Sequence, residues 1–326
     1  YTWVIFFFML MVICRGQEKK CAQDLYEEVI KDVGAEDYLA KLEEVQCLAR
    51  EEEDMVTLLK AGNKEEISLR LKGLRAKEKQ ALNDVLQQAR HMGPPVERGE
   101  KLYTGWLNLK LAGKYYEDQQ FLEAVPYYEK AAYWLEAVEY NPLRRAQILY
   151  KELANIYTRL GDYERALLYL NRALFLIDAE EHTALYAKLL SDKGIALLEI
   201  GDLDQAQQIW EQALNLAQQS KLSEEADIRV QLSRVLRIKG NYKEAISQCQ
   251  WAMDFYRANQ DSISYIESLL TLGDIHDASG DREKWLRYFA EAGRCDRLVK
   301  NDYGGRRRGK ILSALAYHDL GILNPE

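Results

Sequence analysis

Gly161, Asp162, Ala166 and Ala173 mark a frame that the chain repeats, and this recurrence limits the fold more than any other feature. The frame returns at Gly201, Asp202, Ala206 and Ala213, and again at Gly240, Asn241, Ala245 and Ala252. A fourth copy has Gly280, Asp281 and Ala292, with Trp285 in place of the first alanine. An earlier copy lacks the glycine but keeps Phe121, Ala124, Tyr127, Tyr128 and Ala131, and a half copy closes the chain with Ala314, Tyr317 and Gly321. A period of about 40 residues points to a solenoid stacked from one supersecondary unit. Each unit reads as two antiparallel helices joined by a tight turn, where glycine relieves a left-handed backbone. The small residues let helices approach, and Leu153, Tyr157, Tyr163 and Leu170 fill the spaces between them. No segment alternates apolar and polar residues long enough to read as a strand. The expected fold class is therefore all-α, a solenoid of antiparallel helix pairs.

These residues resemble the tetratricopeptide repeat family over roughly residues 105–321. In that pattern Ala154 takes the small position of the first helix and Tyr157 the aromatic one; Gly161-Asp162-Tyr163 is the turn, and Ala166 and Ala173 are the small positions of the second helix. The resemblance implies a right-handed superhelix. The family's usual repeat is 34 residues, so the longer period here is similar to the long-repeat branches: kinesin light chains, bacterial peptide-sensing regulators, and arrays fused to caspase-like peptidases or sensor kinases.

The resemblance also implies where ligands sit, on an inner wall lined by the first helix of each repeat. The matching positions are Tyr116; Lys151, Asn155 and Arg159; Lys188 and Ser191; Arg234 and Arg237; and Asp274 and Asp277. As a row they predict a polar groove, basic in the middle and acidic near the end, able to bond an extended peptide backbone or a carboxylate. The carboxylate clamp of the family's chaperone-binding members is excluded. Lys151 and Asn155 fit its first pair, but Asp192, Asp227 and Gln231 follow where Asn, Lys and Arg are needed.

The organisation expected along the chain has four parts. Residues 1–16 read as a signal peptide, residues 17–92 as a helical cap or degenerate repeat, residues 93–104 as a linker, and residues 105–326 as the repeat array. Within 17–92, LYEEVIKDV and YLAKLEEVQCLA have helical spacing, and Gly62-Asn63 is read as a turn, with Leu58 before it and Leu71 and Leu74 after it. Gly93-Pro94-Pro95 is the clearest internal break. The apolar run of residues 2–14 is too short to span a bilayer comfortably and fits the core of a secretory signal. Cleavage after Gly16 places Cys14 and Gly16 at the −3 and −1 positions. The expectation is an exported protein, periplasmic or membrane-associated; Ile13 before Cys14 disfavours lipidation there. The missing initiator Met and the unpaired last helix lead to the expectation of a fragment. Cys249 falls at a packing position, and an exported chain allows a Cys21–Cys47 disulfide without the sequence setting it.

His91, His182, His276 and His318 form no ligand pair of the HExxH kind. Asp274, Asp277 and Asp281 fail the spacing of a calcium loop. Residues 304–311, GGRRRGKI, approach a phosphate-binding loop, but Ile311 stands where Ser or Thr must meet magnesium. A net charge of −8 argues against a general nucleic-acid binder. The expected function is a non-catalytic scaffold with no cofactor and no metal, binding a peptide or protein in its groove. The alternative is an extracytoplasmic sensory arm of a larger protein, whose remaining part is a kinase, a DNA-binding regulator or a caspase-like peptidase.

Overall fold

The computed structural model describes residues 21–296, Glu36 excepted. The expected signal segment, the basic stretch 304–311 and the closing half copy lie outside the described residues. Among the described residues the elements are helices joined by short turns, with no strand. The protein is an all-α helical-repeat solenoid. It divides into two compact units, the first ending at Asn141 and the second beginning at Pro142.

The first unit contains α1 (Ala22–Val29), α2 (Tyr38–Glu51), α3 (Met55–Leu71), α4 (Arg75–Met92), α5 (Arg98–Glu117) and α6 (Phe121–Ala137). The second opens with α7 (Pro142–Arg145), which passes through a π turn (Ala146–Tyr150) into α8 (Lys151–Leu160). It continues with α9 (Tyr163–Phe175), α10 (Thr183–Ile200), α11 (Leu203–Gln219) and α12 (Glu225–Ile238). It ends with α13 (Tyr242–Ala258), α14 (Ser262–Ala278) and α15 (Arg282–Asp296).

The Gly-Asp turn serves two helices at once. Gly161 ends α8 in the left-handed region at φ 79°, and the amide of Asp162 reaches back to the Tyr157 carbonyl at 2.9 Å. The Asp162 carboxylate then accepts from the Arg165 amide at 3.1 Å, capping α9. Asp202 and Asp281 repeat the cap on the amides of Gln205 and Lys284, at 3.1 and 3.2 Å. Gln119, Lys221 and Gln260 take the same left-handed conformation without glycine. The sequence pattern passed over them because such residues also suit a helix surface.

Packing follows the repeat frame. Ala166, Ala173, Ala206, Ala213, Ala245, Ala252 and Ala292 are all fully buried, as are Leu153 and Leu170. Within the second unit each first helix touches the first helix of the next pair: α8 with α10, α10 with α12, and α12 with α14. The second helices make no comparable contact with one another. The first helices are thus the closer-set row, the geometry of the inner wall of a curved stack.

The first unit departs from expectation. Residues 22–92 form two helix pairs, α1 with α2 and α3 with α4. Gly62 and Asn63 are not a turn but lie inside α3. Gly62 is needed because a Cβ there would stand 2.6 Å from Val85 Cγ2 on α4. The true turn is at Gly73, φ 68°, and Leu71 beside it is exposed. Helix α5 begins at Arg98, so within the stretch 93–104, read from the sequence as linker or start of the array, residues 93–97 are the connector. Glu97 and Glu100 start α5 with a reciprocal capping box, which the proline pair upstream does not disturb. Cys21 and Cys47 are unbridged: the Cys21 thiol donates to Asp24 at 3.1 Å and Cys47 is exposed.

Candidate partner-binding face

The first helices of the second unit carry polar residues in register columns counted back from the turn glycine. Nine places before it stand Glu152, Asp192 and Gln231; six places before it stand Asn155, Arg234 and Asp274, with the apolar Ile195 in the remaining copy. Leu153, Leu190 and Leu232 on the same helices are buried in the core, which fixes the rotation of each helix and leaves the polar columns on the other side.

Glu152 organises the start of the row. Its carboxylate lies 3.8 Å from the Lys151 ammonium and accepts from the Asn155 amide at 3.5 Å. Asp192 on α10 faces this group. Burial pushes its carboxyl up to about 6, Glu152 adds to the shift, and Lys151 and Lys188 oppose it. Its Oδ2 is shielded from solvent and accepts no hydrogen bond within the protein. Lys188 and Arg234 are exposed, and Arg234 donates to Gln231 at 3.1 Å. Asp227 accepts from the Tyr256 hydroxyl of α13, so its charge is already engaged.

The expected residues are therefore only partly assembled. Lys151, Asn155 and Lys188 gather around Asp192, with Arg234 on α12 and Asp274 on α14 further along the same columns. Ser191 contributes through its backbone, accepting the Trp210 indole N–H at 3.1 Å. Arg159, Arg237 and Asp277 sit in the last turns of α8, α12 and α14, at the ends of the row. Tyr116 belongs to α5 in the first unit, where its ring meets Phe121 edge-on at 5.4 Å. Glu152 was missed by sequence reasoning, and Asp192 was weighed only as a clamp mismatch. Reading the ninth-place column by itself would have found both.

Among the described residues no helix is long and apolar enough to cross a membrane, and no cluster of His, Cys, Asp and Glu is placed to hold a metal ion. What the face offers is a row of fixed charges and amides, suited to recognising a polar chain.

The fold is that of a helical-repeat solenoid, an architecture typical of protein-interaction scaffolds. Residues 144–219 and 185–258 match the tetratricopeptide repeat model, so this stretch of the second unit is built of tetratricopeptide repeats. Among solved structures it is similar to the apo form of RapI, with 14% identity over 86% of this chain and 77% of that one, at a TM-score of 0.60. A Rap protein complexed with Competence and Sporulation Factor is similar at 17% identity, 84% and 76% coverage and TM-score 0.51. The putative kinesin light chain repeats of Podosopora anserina are similar at 16% identity, 63% and 98% coverage and TM-score 0.50. At these identities the likeness is one of fold. No curated protein matches the chain.

Proposed function

We propose that the protein is a non-catalytic scaffold that binds a peptide or protein partner along the first helices of its second unit. The observation that carries this reading is the Lys151–Glu152–Asn155–Asp192 group with Lys188 beside it. It holds two cations, an amide and a buried carboxylate oxygen in one place, with that oxygen lacking a donor. A peptide backbone supplies the missing N–H, and its carbonyls or acidic side chains meet the lysines. The reading draws support from the Rap protein of similar fold that is complexed with Competence and Sporulation Factor. The apolar run of residues 2–14 further supports export and work outside the cytoplasmic membrane.

The test replaces Lys151, Asn155 and Arg234 by Ala together and compares partner capture from the cell envelope with that of the unaltered chain. Capture should fall at least tenfold while the helical circular dichroism stays unchanged. Full capture by the triple variant would place the binding surface elsewhere.

A further inference from the structure

The first unit contains a cavity of about 600 Å³, outside the face described above. It lies among α4, α5, α6, the start of α3 at Met55 and the Gly93-Pro94-Pro95 connector, a sequence break that the repeat frame does not explain. A volume of this size suits a small organic ligand and is far larger than a single water needs.

Its lining is mixed in a specific way. Pro94, Pro95, Pro126 and Trp134 give rigid apolar walls, and Gly93 turns the connector at φ 121°, a conformation that favours glycine. Two polar side chains on α5, one turn apart, face into it. Thr104 is 8% exposed and Asn108 2% exposed. The Asn108 amide N–H donates to the Thr104 carbonyl at 2.8 Å, which leaves its Oδ1 without a donor. The Thr104 hydroxyl also has no partner. Two adjacent buried polar atoms left unpaired on one helix face are costly unless something entering the cavity pairs them.

Charge adds a third requirement. Arg90 from α4 and Lys130 from α6 both line the cavity, against the single carboxylate of Glu129. Burial and the nearby Arg90 charge hold the Lys130 ammonium below its ordinary value. The excess is one positive charge, which a singly charged anion would balance.

We propose that this cavity binds an N-acylated apolar amino acid with a free carboxylate, as a small molecule or as the C-terminal residue of a chain. The carboxylate meets Arg90 and Lys130, the amide N–H donates to Asn108 Oδ1, and the acyl carbonyl accepts from the Thr104 hydroxyl. The apolar side chain lies against the prolines and Trp134. This site is independent of the partner-binding face.

Isothermal titration of the full chain with N-acetylphenylalanine, N-acetylphenylalaninamide and acetyl-Gly-Gly-Phe tests it. The acid should bind at least tenfold more tightly than the amide. An R90Q/K130Q variant, altered only at exposed side chains, should bind the acid no better than the amide and keep the melting temperature of the unaltered chain. If acetyl-Gly-Gly-Phe binds as well, the source is a chain end; if only the single amino acid binds, it is a free molecule. No heat from any probe, equal affinity for acid and amide, or undiminished acid binding by the double variant would overturn the assignment.

Discussion

Gly194 on α10 lies directly beneath the ring of Trp210 on α11, so close that a Cβ on Gly194 would stand 2.5 Å from Trp210 Cε2. Trp210 is fully buried, and its indole is anchored on the Ser191 carbonyl. Gly273 and Phe289 repeat the arrangement in the α14–α15 pair, again at 2.5 Å. Both glycines stand seven places before the turn glycine, where Ala154 and Ser233 occupy the other copies. In these two copies the missing side chain makes room for one large ring between paired helices, while the copies with Ala154 and Ser233 place Leu170 and Cys249 at the matching position.

Gly194→Ala should therefore destabilise the second unit, even though alanine is the better helix former. The propensity gain is about 1 kcal/mol, and overpacking against a fully buried tryptophan costs more, about 2–3 kcal/mol. Chemical denaturation should show a net loss. A gain in stability would mean that the α10–α11 spacing is looser than described.

Ala166→Trp tests the frame at a second helix. Ala166 is fully buried on α9, and the added volume has nowhere to go. The expected loss is a few kcal/mol, read as a lower melting temperature. An unchanged melting curve would contradict the helix register.

Asp192 makes stability depend on pH. Burial pushes its carboxyl up to about 6 in the folded chain, above the ordinary 3.8, so the folded state holds the proton more tightly. Stability from this group is full below about pH 4 and is lost as pH rises through 6. Asp192→Asn should raise stability at pH 7 by on the order of 1–3 kcal/mol and have little effect at pH 4. The measurement is the difference in denaturation midpoint between variant and parent at the two values. An equal difference at both would remove the titration account. If the face needs this carboxylate, the same variant should bind its partner less well.

Glu66 tests the first unit. It is 1% exposed on α3 and pairs with Lys110 of α5 at 2.6 Å. Glu66→Ala leaves the half-buried Lys110 ammonium without its nearest carboxylate and should cost about 2–3 kcal/mol. Glu66→Leu should cost less, because it restores packing volume. Equal losses from the two variants would show that the broken ion pair, and not the cavity, accounts for the cost.

The sequence by itself determined the repeat. Each Gly-Asp turn and each alanine is a local requirement: a left-handed residue, a cap oxygen, a missing side chain at a close approach. Such requirements show in residue identity, so the frame over 121–292 could be read from spacing alone. Turns with Gln119, Lys221 or Gln260 in the left-handed position were not legible, because these residues meet the backbone demand without changing composition. Gly62 misled for the opposite reason: glycine serves a turn or a close approach equally well, and only Val85, 23 residues away, decides between them. The functional surfaces needed the tertiary structure. Sequence spacing placed Lys151, Asn155 and Lys188 on first helices, but the burial of Asp192 depends on how α8 and α10 pack. The cavity near Thr104 and Asn108 is drawn from four helices and a connector. No single stretch of chain records it, because an unpaired polar atom is defined by what the rest of the fold fails to bring near.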